Sequence, residues 1–175
     1  MTTTPTRTTT RFDLRTLPVG DAAAYWLVAL RLITGWWFLQ AGATKLLAAE
    51  PFTAAGWLAN ATAAGPLHGL FVFVANTPWL LAFTDVAIPV GEALIGLGLV
   101  VGALVRLAAF FGGLLMVLFY LGNADWAHGY VNGDLLGLVA FVTVGVFAAG
   151  RVLGVDALLA ERFDLEQNRL LRYFI

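Results

Sequence analysis

The chain has 175 residues, 60% of them hydrophobic and 12% charged, with a net charge of -1. A soluble domain carries roughly 25% charged residues, so this composition, with a mean hydropathy of +0.83, points to lipid as the solvent. No basic patch suits a nucleic acid, and the absence of cysteine excludes disulfides, Cys-ligated iron–sulfur clusters and persulfide chemistry on this chain.

Residues 1–21 are Thr-rich and basic and lack the apolar run of a cleavable signal peptide. They are expected to form a flexible tail, with an interfacial turn around Phe12–Leu17. A membrane span needs about 20 mostly apolar residues. Four stretches meet that need: 22–47, 79–102, 104–121 and 134–150. The 48–78 connection holds Pro51, Gly56, Gly65, Pro66 and Pro78, so it cannot be one continuous span. It is nevertheless apolar, with Phe52, Trp57, Leu67, Leu70, Phe71 and Phe73. One or two short helices lying at the interface or capping the bundle are predicted there. Residues 153–175 place Leu158, Leu159, Phe163, Leu165, Leu170 and Leu171 among charges, the pattern of an amphipathic helix suited to a partner. The predicted fold class is all-α: an integral membrane four-helix bundle with an apolar outer loop and an amphipathic C-terminal helix.

Orientation follows from Lys and Arg. Arg7, Arg11 and Arg15 precede the first span, Arg106 sits in the tight second connection, and Arg151, Arg162, Arg169 and Arg172 follow the fourth. These are eight of the ten basic residues. The positive-inside rule then places both termini in the cytoplasm, in a plasma membrane, with the 48–78 connection and the 122–133 loop outside.

Ionisable residues inside spans are costly and normally face protein. At 100° per residue, Arg31, Gly35, Phe38, Gly42 and Lys45 share one face of the first span within roughly 80°. Asp85, Pro89, Glu92 and Gly96 share one face of the second within roughly 60°. Gln40 lies on the opposite side of the first span. Counted from the inner helix ends, Arg31 and Glu92 have similar depths and are expected to form a buried ion pair. That pair would fix helix register or serve as a proton or ligand site. Lys45 and Asp85 are expected to form a second, wetter pair at the outer end. Tyr120, Asn123 and Asp134 also lie at the outer level, with Trp126 and His128 in the loop between. They read as an aromatic belt, with Asp134 capping the last span, or as the polar rim of an outer site. The two histidines, His68 and His128, are both in outer loops, so no haem ligation is expected, nor a metal site. No Gly-rich phosphate loop follows a strand, so no flavin or nucleotide site is supported.

The run Arg31-x3-Gly35-x6-Gly42-x2-Lys45, followed by Glu92-x3-Gly96-x5-Gly102-x3-Arg106, resembles the DoxX-like family of small four-helix membrane proteins. The resemblance covers about residues 22–152. That family includes the DoxD-type subunit of thiosulfate:quinone oxidoreductase, which works with a second redox subunit. The resemblance implies a link between a sulfur-compound donor and membrane quinone. With no cysteine, haem or flavin motif, this chain would position the quinone and draw electrons from a partner's cofactor. Lys45, Asp85 and Tyr120 would then supply hydrogen bonds and protons, with Phe38 and Trp126 as flat apolar walls.

Two further readings compete. One is a non-catalytic scaffold or assembly subunit that anchors partners through its C-terminal helix. The other is a small proton-coupled permease built on Arg31–Glu92, which needs a homo-oligomer because four helices are few for a monomeric transporter.

Overall fold

The computed structural model describes residues 20–162. The expected N-terminal tail and most of the expected C-terminal amphipathic segment lie outside the described residues. Within them the chain is helical, without strands. Six α-helices follow in order: α1 (Asp21–Leu46), α2 (His68–Asn76), α3 (Pro78–Val101), α4 (Val105–Gly122), α5 (Gly133–Val146) and α6 (Val155–Arg162). Three of them, α1, α3 and α4, are long and apolar enough to cross a membrane. At 1.5 Å per residue they measure about 39, 36 and 27 Å, against a hydrocarbon core of about 30 Å.

Local chemistry sets the helix ends. Pro78 opens α3 at the first helical position, where a missing N–H is harmless. The helix stops at Gly102, whose φ of 76° is left-handed; the Gly102 and Ala103 N–H groups both donate to Gly98 O. α5 starts on Asn132, whose side chain accepts from Leu135 N at 3.0 Å. The cap is thus Asn132, not Asp134, whose Oδ2 accepts from Asn123 Nδ2 at 2.8 Å instead.

The stretch expected to span 134–150 ends early as a helix. α5 stops at Val146, Ala148 turns left-handed (φ 48°), and a short 3₁₀ turn covers Ala149–Arg151. The 14 residues of α5 measure about 21 Å.

α1 and α3 run antiparallel at very short range. A Cβ at Gly42 would meet the backbone of Ala93 and Pro89, and one at Gly96 would meet the backbone of Leu39. Gly35 lies against Leu99 and Val100 in the same way. Small residues let the two backbones touch, the usual means of packing helices where apolar burial gives no preference over lipid. The main core is built where α1, α3, α4 and α5 meet, from Phe38, Ile95, Leu99, Val105, Ala109, Met116, Phe141 and Val144.

A second apolar cluster closes one end. Ala54, Leu58 and Phe71 gather Phe52, Trp57 and Leu67 around them. The residues come from the segment 52–54, a π-helical turn (Trp57–Ala61), Leu67 and α2, all within the 48–78 connection. Trp57 packs on Phe71 and Phe119, with ring centroids 5.2 and 5.7 Å apart, and over Gly122. Lys45 lies at this end of the molecule and Arg31 at the other.

Candidate functional site

The α1–α3 register decides which charges meet. With Gly42 on Ala93 and Gly35 on Val100, α1 extends past the end of α3 at Val101. Arg31, one turn before Gly35, therefore lies level with the α3–α4 turn and far from Glu92. Lys45, at the other end of α1, comes beside Glu92. Lys45 Nζ and Glu92 Oε2 are 2.5 Å apart. The Glu92 side chain is 5% exposed and that of Lys45 is 27% exposed. The Lys45 ammonium also lies 5.7 Å from the centre of the Phe52 ring, in the apolar cap. This site is a buried carboxylate, a half-open ammonium and an aromatic face, held by α1, α3 and the connection between them.

The expected Arg31–Glu92 pair does not form. Arg31 is 2% exposed and its guanidinium donates to backbone: Nη1 to Ala149 O at 2.9 Å and Val152 O at 3.2 Å, Nη2 to Leu153 O at 3.2 Å. The chain turns after the early end of α5, where Ala149 O also accepts from Val152 N, and Arg31 gathers the carbonyls of that turn. The opposite charge that acts on Arg31 is Asp156 of α6. Asp156 is 1% exposed and caps α4, accepting from Leu104 N at 2.7 Å and Val105 N at 3.0 Å. Burial, the largest influence, pushes the Asp156 carboxyl up; the two N–H groups and the charges of Arg151 and Arg31 pull the other way.

The expected Lys45–Asp85 pair is also replaced. Asp85 Oδ1 accepts from Ala54 N at 2.7 Å, which ties the start of the cap to α3. Tyr120 does not turn towards Lys45: its hydroxyl donates to Tyr130 O at 2.8 Å. Trp126 packs on Tyr130, with ring centroids 6.1 Å apart. Asn123 accepts from Trp57 Nε1 at 2.9 Å and donates to Asp134. Tyr120, Asn123 and Trp126 instead line a separate cavity of about 180 Å³ with Asp125, His128 and Asn132. Phe38 is 2% exposed and meets Phe141 edge-on at 4.6 Å, so it is core and not a wall of the Lys45 site. Lys45 and Glu92 are thus brought together, while Asp85, Tyr120, Trp126, Asn123 and Asp134 serve the cap and the loop beyond it.

The pairing of Lys45 with Glu92 follows from how the glycine faces pack. The observed register sets Gly42 on Ala93 and Gly96 on Leu39, so the glycines of the two faces mark it; counting from helix ends does not. The nearness of Asp156 to Arg31 had no comparable signal, because it depends on where α5 stops.

Three membrane-length helices, packed through glycines and joined by a lysine–glutamate pair, define a small helical membrane protein with a charged site inside it. A family model described as "TQO small subunit DoxD" matches residues 26–174, and the chain belongs to this family. Neither a curated protein nor a solved structure gives a match.

Proposed function

We propose that the chain is the membrane subunit of a quinone-linked oxidoreductase, and that the Lys45–Glu92 pair serves the quinone head group. The family's TQO reads as thiosulfate:quinone oxidoreductase, so the electron donor is a sulfur compound oxidised on a second subunit. The observation that carries the reading is the 2.5 Å contact between a nearly buried Glu92 and a partly open Lys45 beneath Phe52. A quinone supplies the electron acceptor when bound. Lys45 donates a hydrogen bond to one carbonyl oxygen and holds positive charge where negative charge develops. Glu92 orients Lys45 and returns a proton to it. Phe52 offers a flat apolar face to a ring. Asp85, by holding Ala54, keeps that lid in place.

In the same reading α5 is the fourth span of a four-helix bundle, completed by the 147–151 turn. The arginine-rich end is cytoplasmic, the membrane is the plasma membrane, and the capped end with Lys45 faces out. The permease alternative rested on an Arg31–Glu92 pair that the fold does not contain. The scaffold alternative keeps one support, the fixing of α6 to the spans through Asp156.

The test compares Lys45→Met with the double variant Lys45→Met/Glu92→Gln, which leaves no lone buried charge. Quinone content of the purified complex and thiosulfate-dependent quinone reduction in membranes are measured, with recovery in mild detergent as the control for folding. The double variant should be recovered normally and lose at least about tenfold in quinone reduction, as expected for removing an oriented donor. Wild-type activity in a normally recovered double variant would overturn the reading.

A further inference from the structure

One face of α1 is left largely uncovered by the other spans, apart from the edge of the Trp37 ring, which lies beside Gly137 of α5, and it is not simply apolar. At 100° per residue, Trp26, Ile33, Trp36, Trp37, Gln40 and Thr44 lie within roughly 100° of one another, opposite Gly35 and Gly42. All six are exposed. The Thr44 hydroxyl is satisfied within the helix, by Gln40 O at 2.9 Å. The Gln40 side-chain amide has no hydrogen bond to any described residue.

Its depth makes this costly. Gln40 lies nine residues, about 13 Å, beyond Arg31 along α1. Arg31 is level with the turns that start α4 and end α5. α4 rises about 27 Å from that level, so Gln40 is near the middle of the hydrocarbon. An amide there finds no water, and its donors and acceptor call for protein. Trp36 and Trp37 sit in the turn before it, away from the interfacial belts where tryptophan is usually found.

We propose that a second copy of this chain covers this face, α1 against α1, with Gln40 hydrogen-bonded to Gln40. The partner follows from the chemistry of the amide, which is a donor and an acceptor at once and therefore complements itself. Two copies inserted the same way and related by a two-fold axis along the membrane normal bring each residue of α1 near its own counterpart. In that arrangement each Gln40 Nε2 donates to the partner's Oε1. The flanking tryptophans supply broad contact area on either side.

The chain has no cysteine, so single thiols report contact without background. Ile33→Cys and Thr44→Cys lie on the stripe and keep Gln40. Phe110→Cys lies on the exposed face of α4 and serves as the off-stripe control. Native membranes are treated with a short bis-maleimide and the products are sized. The two stripe positions should give a homodimer band and position 110 should not. Adding Gln40→Leu to each should weaken self-association roughly threefold to thirtyfold in a detergent dilution series, as for loss of one interhelical hydrogen-bonded pair. Gel filtration of the Gln40→Leu chain checks that it still folds. Equal cross-linking at 110, no homodimer at 33 and 44, cross-links only to a different protein, or dimers unaffected by Gln40→Leu would each overturn the proposal.

Discussion

Replacing Arg31 by methionine keeps an unbranched apolar stem and removes the guanidinium. Arg31 is 2% exposed and donates to the carbonyls of Ala149, Val152 and Leu153. Hydrogen bonds to a charged group contribute about 1.5–3 kcal/mol each, so three would sum to about 4.5–9 kcal/mol. They share one rigid guanidinium and are not independent, so the sum is an upper range and a loss of about 4 kcal/mol is expected. At about 2–4 °C per kcal/mol for a chain of this size, the unfolding midpoint should fall by roughly 8–16 °C. The assay is thermal unfolding of the purified full chain in mild detergent, read by near-UV circular dichroism. Two double-mutant cycles locate the partner. Arg31→Met with Asp156→Asn should show coupling of about 1 kcal/mol or more, and Arg31→Met with Glu92→Gln should add within about 0.5 kcal/mol. A fall below about 2 °C, or coupling to Glu92 in place of Asp156, would refute the reasoning.

Three further outcomes are expected. Burial raises the Asp156 carboxyl in the folded chain, so its contribution is full below the unfolded value and is lost as pH rises through the folded one. The midpoint of the wild type minus that of Asp156→Asn should therefore shrink as pH rises above about 4, the ordinary carboxylate value, and growth with rising pH would contradict the assignment. Asp85→Ala removes the acceptor of Ala54 N and should destabilise the cap by about 1–2 kcal/mol, seen as faster hydrogen exchange in residues 53–62; unchanged exchange would show that Asp85 does not hold the lid. Single cysteines at positions 106 and 162 should react only from the cytoplasm, and those at 57 and 128 only from outside; labelling of position 106 in intact cells would reverse the topology.

Hydrophobic length made α1, α3 and α4 readable from sequence, because a span of about 20 apolar residues has few other uses. The end of α5 was not readable. Residues 147–150 are as apolar as a span, but the carbonyl of Ala149, with those of Val152 and Leu153 just beyond, is held by Arg31, more than a hundred positions earlier. The same remoteness hid Asp156, whose carboxylate caps a helix that starts 51 residues before it. Depths of Arg31 and Glu92 were misjudged for a different reason. They were measured from helix ends, and α1 runs well past the end of α3. Glycine faces carried the true register, since only small residues permit the close approach at Gly42 and Gly96. The Lys45 site was therefore half legible: its lysine and face were identifiable, while its carboxylate partner had to come from packing.

A photoreactive quinone analogue, added to the intact complex in membranes and mapped by peptide mass spectrometry, asks where the head group binds. Labelling that a natural quinone competes away should fall on residues 45–57 of the α1–cap junction and residues 85–93 of α3, and should be lost in Lys45→Met/Glu92→Gln. Competable labelling confined to the 120–132 segment, or labelling indifferent to that double variant, would contradict a quinone site at Lys45 and Glu92.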